Sequence, residues 1–179
     1  MISFDPAFSS GNVPALPFSD ATEAIGAPDF TPAQGDLGFV SLGAGGIIIL
    51  QFTDNYLTGS DSPALDLHIF EIGPDVEDTF VAISNDGNQW FEIGKVFGAT
   101  SSIDIDLFGF GSQDFFSYVR LTDDPSERQT VGRTVGADID AVGAITTVRR
   151  NSVPDSGSSA LLLGLTLLGV VGLRLRLAA

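Results

Sequence analysis

Short apolar runs recur along residues 1–150, separated by turn residues: GIIILQF at 46–52, LDLHIF at 65–70, TFVAIS at 79–84, WFEI at 90–93, SIDIDL at 102–107 and SYVRL at 117–121. Each is four to eight residues long and rich in β-branched or aromatic side chains, which is the signature of strands. Leu65, Leu67 and Ile69 share one face of their run; Ile103, Ile105 and Leu107 share another, with Asp104 and Asp106 opposite. No twelve-residue window holds an amphipathic helix. The pattern predicts an all-β domain of some eight strands over 1–150, a β-sandwich or jelly roll. Asn85-Asp86-Gly87-Asn88, between two runs, predicts a type I′ hairpin with positive φ at its centre. Gly43, Gly45 and Gly46 predict a tight turn and not a phosphate loop, because a strand follows them instead of a helix.

The pattern changes near Asn151. Residues 158–173 are a run of 16 without a charge, apolar on every face and containing Gly164, Gly169 and Gly172. A helix packed on one side of a soluble domain would show polar residues at helical spacing, so a membrane span is the better reading. Sixteen residues reach only ~24 Å at ~1.5 Å each, short of a ~30 Å hydrocarbon core. Extension to Ala179 gives 22 residues and ~33 Å, with Arg174 and Arg176 snorkelling to the headgroups. Those two arginines favour a cytoplasmic C-terminus, while Arg149 and Arg150 before the run compete with them.

Val153-Pro154-Asp155-Ser156-Gly157, then an apolar helix, then an Arg-containing end, resembles the VPDSG-CTERM sorting signal, a relative of PEP-CTERM in exopolysaccharide-secreting bacteria. All five letters match, and the three parts follow in order. The resemblance implies recognition at residues 153–157 by an exosortase-type membrane protease that removes or replaces the helix, the arginines having faced the cytoplasm. The protein would be exported to the cell envelope, membrane-anchored before processing, and then held at the cell surface or in the extracellular matrix. This divides the chain into a sandwich at 1–150, a linker with the motif at 151–157 and the helix at 158–179. Such proteins begin with a signal peptide, and the first residues, Met1-Ile2-Ser3-Phe4-Asp5-Pro6, have neither a basic nor an apolar leader region. A leader preceding this start is therefore expected.

Composition narrows the chemistry. Acidic residues outnumber basic ones 23 to 8, for a formal charge of −15, which argues against a nucleic-acid partner. Cysteine is absent and His68 is the single histidine, so disulfides, thiolate zinc sites, cysteine nucleophiles and two-histidine sites are excluded.

Six segments in order resemble bacterial cell-surface domains of the galactose-binding-like (discoidin-type) β-sandwich: AIGAPD at 24–29, VSLGAGG at 40–46, DLHIFE at 66–71, ISNDGNQW at 83–90, YVRLTD at 118–123 and GADIDAVGA at 136–144. The resemblance implies binding of glycans or surfaces through loops at one end, often beside a structural calcium. Asp138 and Asp140 fall on the same side of an extended chain, about 6.6 Å apart along it. Asp20, Glu71 and Glu77 lie in stretches able to converge on that edge. Oxygen donors without nitrogen or sulfur suit Ca²⁺; the alternative is that Asp138 and Asp140 cap turns.

Paired acids, Asp104 with Asp106 or Glu71 with Glu77, also satisfy glycosidase spacing, but in so acidic a chain solvated faces are the better reading. His68 is expected to be half-buried and bonded to a neighbouring acid rather than to act as a base. Tyr56, in a loop at 55–60, and Trp90, after the hairpin turn, are the candidate glycan-stacking rings, although core packing is the default reading for Trp90. Phe108, Phe110, Phe115 and Phe116 either bind a surface or close the sandwich ends. The sequence thus supports a non-enzymatic surface or matrix protein that binds glycan or protein surfaces. Its alternatives are a structural matrix protein without a specific ligand, and a carbohydrate-active enzyme.

Overall fold

The computed structural model describes residues 2–34, 38–73, 77–97, 101–126 and 131–150. The sorting motif of Val153, Pro154, Asp155, Ser156 and Gly157, the apolar helix, Arg174 and Arg176 lie outside the described residues. Among the described residues no helix is long and apolar enough to cross a membrane. The strands are β1 (Ser3–Asp5), β2 (Val40–Ser41), β3 (Ile47–Gln51), β4 (Asn55–Leu57), β5 (Leu67–Glu71), β6 (Thr79–Ser84), β7 (Phe91–Val96), β8 (Ser101–Ile103), β9 (Tyr118–Asp123), β10 (Asp138–Ala144) and β11 (Thr147–Arg149). The helical elements among the described residues are short 3₁₀ turns, at Ala21–Ala24, Pro32–Gln34 and Ile105–Phe108.

The strands form a five-stranded sheet in the order β1-β3-β9-β6-β7, a four-stranded sheet in the order β2-β10-β5-β8, and a two-stranded β11-β4 ribbon. All pairings are antiparallel. Period-two patterning makes the sandwich. In β9, Val119 and Leu121 are buried while Tyr118, Arg120 and Thr122 are half-exposed. Ile48, Val81, Ile83 and Leu121 from one sheet share a single apolar core with Val40, Leu67, Ile69 and Ile139 from the other. Phe91, Phe110 and Phe116 extend that core, their rings meeting edge to face with centroids 5.0–6.1 Å apart. Phe108 and Phe115 turn outward.

Gly43 and Gly45, at φ 87° and 70°, close the expected turn into β3 through the Gly46 N–H to Gly43 carbonyl bond of 2.9 Å. Three local expectations fail. The connection after β6 is not a type I′ hairpin: Gly87 has positive φ but Asp86 does not, and the loop runs on to Phe91. There the Asp86 carboxylate accepts the N–H groups of Asn88 and Gln89 at 2.8 and 2.9 Å, so a side chain substitutes for the turn's backbone bonds. Residues 102–107 are not one strand. Asp104 caps a 3₁₀ turn by accepting the Asp106 N–H at 3.0 Å, which puts Leu107 in solvent and Asp104 inside. Finally, Leu65 precedes β5 and is 48% exposed.

Candidate functional site

The outer face of the five-stranded sheet is built from residues that alternate with the core. Register places Ile47, Thr122, Phe80 and Lys95 in one row, and Ile49, Arg120, Ala82 and Glu92 in the next. Phe8, beyond β1, joins Ile47, Phe80, Glu92, Arg120 and Thr122 around a shallow groove of about 310 Å³. Phe8 and Phe80 are exposed, so they present apolar ring surface, and Arg120 binds Glu92 at 2.5 Å. Trp90 is half-buried outside the core with the Arg120 guanidinium over its ring at 4.8 Å. It therefore packs against Arg120 instead of filling the core, where the sequence placed it by default. Beside the groove, the Lys95 ammonium lies 5.2 Å from the Phe80 ring and 5.5 Å from Phe97. Lys95 also binds Asp78 and Asp124, each at 2.5 Å. These contacts push Lys95 up to about 12 and lower Asp124 to about 2.

Tyr56 is not in a loop: it lies on β4 in the two-stranded ribbon, edge-on to Phe115 with centroids 5.9 Å apart. His68 bonds through Nδ1 to the Ser102 hydroxyl and packs edge-on against Phe70 at 4.4 Å, so its partner is a serine and not an acid.

Among the described residues, the five carboxylates expected to converge on a calcium do not form one ligand group. Asp20 caps the turn at Ala21–Ala24, binding the Thr22 N–H at 3.0 Å and its hydroxyl at 2.6 Å. Asp140 accepts the Asp29 N–H at 3.1 Å, whereas Asp138 accepts the Ser41 hydroxyl. A register shift between Ile139 and Ala141 breaks the simple alternation on which that expectation rested. Glu71, at the end of β5, sits instead with Glu77, whose N–H it accepts at 3.1 Å. Both glutamates are buried, which corrects the expectation of a solvated pair. Burial pushes Glu71 up to about 8, reinforced by the charges of Glu77 and Asp138, and Glu77 to about 7, reinforced by the charges of Asp138 and Asp123. Burial also raises Asp138 to about 6, aided by Asp123, which accepts the Gly45 and Ala137 N–H groups at 2.8 Å.

A different group of acids does converge. Asp66, Asp104 and Asp106 each offer a carboxylate oxygen, and these oxygens lie within 4.8 Å of one another. Asp66 directly precedes β5 and is fully buried. Its Oδ2 accepts the Ile105 N–H at 3.0 Å, while Oδ1 has no hydrogen-bond partner among the described residues. Burial raises its pKa, and the Asp106 charge adds to this; the nearby Thr146 and Ser60 hydroxyls and the Ile105 N–H oppose it. Asp106 accepts the N–H groups of Ser60 and Asp61 at 2.9 and 3.0 Å. The alternation of acids at 104 and 106 was visible in the sequence. That Asp66 joins them was not, since within a strand pattern it reads as a solvent-facing residue.

No protein-family model matches the chain, and no curated protein matches it. Among solved structures, the C-terminal domain of a chitobiase from Bacteroides fragilis is similar, with 16% identity and a TM-score of 0.40. The match covers 59% of this chain and 65% of that domain, so the chain spans less than two-thirds of the structure it resembles.

Proposed function

We propose that the protein is a non-catalytic, exported cell-surface or matrix module whose galactose-binding-like β-sandwich binds neutral glycan on the outer face of its five-stranded sheet. The groove is the observation that carries this reading. The exposed rings of Phe8 and Phe80 offer apolar faces to sugar C–H groups, and the Arg120–Glu92 pair offers donors and acceptors for hydroxyls. A net charge of −15 repels acidic polysaccharide, which favours a neutral one. Glu71 and Glu77 are buried, which supports a role in packing over glycoside hydrolysis. In this reading the C-terminal signal delivers the domain to the envelope, where an exosortase-type protease acts at residues 153–157.

Affinity electrophoresis of the full-length chain through gels containing neutral polysaccharides tests the binding. Retardation is expected for the wild type and is expected to be lost in Phe80→Ala, with melting temperature little changed. Retardation unchanged in Phe80→Ala would reject the groove, and mobility unaffected by every polysaccharide would favour the structural matrix reading. For sorting, Pro154→Ala with Asp155→Ala should leave an unprocessed membrane form in the native host; normal processing would reject the signal.

A further inference from the structure

We propose that the β4–β11 ribbon is a membrane-docking face, which lies on the lipid bilayer that the C-terminal apolar run enters. The proposal deepens the reading above and rests on its membrane-anchored form. The ribbon belongs to neither sheet of the sandwich, and all three residues of β11 are exposed. Val148 on β11 pairs with Tyr56 on β4, and side chains directly opposite one another in an antiparallel pair share a face. The Tyr56 ring in turn meets the exposed Phe115 edge-on, with centroids 5.9 Å apart. Val148, Tyr56 and Phe115 therefore form one apolar strip. At the turn leading into β11 the Ile145 N–H donates to the Asp66 carbonyl at 2.6 Å, which puts the exposed Ile145 beside the exposed Leu65.

Position, composition and charge all select lipid as the occupant. β11 ends at Arg149, and the uncharged run starts at Ser158, nine residues later. Nine residues span at most about 30 Å, so a chain anchored by that run keeps the ribbon within that distance of the bilayer. Docking is then an intramolecular event, favoured by a high effective concentration even where the contact is small. A tyrosine flanked by phenylalanine and valine matches the headgroup level of a membrane, where amphipathic rings settle. Arg149 ends the ribbon opposite Asn55 and Arg150 follows it, two of the eight basic residues in the chain, placed to meet headgroup phosphates. Repulsion between the acidic domain and anionic lipid is screened beyond ~8 Å at physiological salt. A second copy is the weaker occupant, because it would bring together two chains of charge −15. Docking also leaves the groove open. Phe80 lies near the start of β6, whereas the ribbon joins the sandwich beyond the other end of that strand, where Leu57 pairs with Phe116.

The test measures depth in the full-length chain reconstituted into vesicles of phosphatidylethanolamine with a minor share of phosphatidylglycerol. The chain has no cysteine, so Val148→Cys and Phe97→Cys each provide a single site for a nitroxide label. Phe97 is exposed and follows β7 at the far end of the five-stranded sheet, where Val96 pairs with Thr79. Power saturation with oxygen and with a water-soluble nickel complex should place the label at 148 about 5 Å inside the headgroup boundary and the label at 97 in water. Adding Phe115→Asp to Val148→Cys should return the label at 148 to water while the chain still floats with the vesicles, since Phe115 is exposed and its loss leaves the core intact. A label at 148 that is in water on a vesicle-bound chain would overturn docking and leave the anchor standing. A chain that does not float with the vesicles would overturn the anchor, and docking with it. Dipolar broadening between labels at 148 on different chains would mean that a second copy covers the ribbon, which would also overturn the assignment.

Discussion

Replacing Glu71 with glutamine tests whether the domain carries buried acids at a measurable cost. Glu71 is 5% exposed, and burial lifts its pKa from the ordinary 4.5 to about 8. A raised carboxyl binds its proton more tightly folded than unfolded. Its stabilising contribution is therefore complete below the unfolded value near 4.5 and is lost as pH rises through about 8. Between pH 5 and pH 8 the full shift corresponds to roughly 3–4 kcal/mol, and solvent relaxation around coupled acids reduces this to about 2 kcal/mol. Glutamine imitates the protonated form: its carbonyl can accept the Glu77 N–H, and its amide can donate to the Glu77 carboxylate. Glu71→Gln should accordingly melt close to the wild type at pH 5 and about 4–8 °C above it at pH 8. Scanning calorimetry at the two pH values in EDTA reads the difference directly. An identical gap between variant and wild type at both pH values would refute the reasoning, since it would mean that Glu71 titrates alike in folded and unfolded chains. Glu77 and Asp138 act in the same direction, through about 7 and about 6. Asp124 acts oppositely: lowered to about 2, its contribution is present above the ordinary 3.8 and is lost as pH falls through 2. The stability maximum should therefore lie on the acid side of neutrality.

Leu121 is fully buried on β9, between β3 and β6, so Leu121→Ala should cost about 3–4 kcal/mol, read as a lower urea midpoint at unchanged slope. Gly43→Ala should destabilise by about 2 kcal/mol or more, because φ is 87° and a Cβ there would stand 2.2 Å from the Pro6 carbonyl oxygen. Gly26→Ala is the control: φ is 110° but no atom lies within 4 Å, so only the backbone strain of about 1 kcal/mol should appear in the same denaturation assay.

The strand runs were legible because burial on one sheet face enforces a period of two, which local sequence records directly. Ile47–Gln51 and Tyr118–Asp123 fall where the apolar runs put them. The failures occur where a polar side chain competes with the backbone. Asp104 and Asp86 both capture nearby N–H groups, turning a predicted strand into a 3₁₀ turn and a predicted tight hairpin into a longer loop. Trp90 shows the same limit in another form. Its position beside the core residue Phe91 foretold that one of the two rings faces outward, but not that Arg120, thirty residues later, would cover it.

The sequence by itself determined the all-β architecture, the turn into β3 and the abrupt change of composition near Asn151, because each depends on local spacing or on residue type alone. Which acids meet was decided only by tertiary structure. Asp138 and Asp140 are neighbours in sequence, yet they serve different partners once β10 slips register against β5. Asp66 and Asp104 are distant in the chain, yet pairing of β5 with β8 brings their carboxylates together. The physical reason is that a carboxylate's surroundings, and hence its charge state and ligands, are set by whichever strands pack beside it.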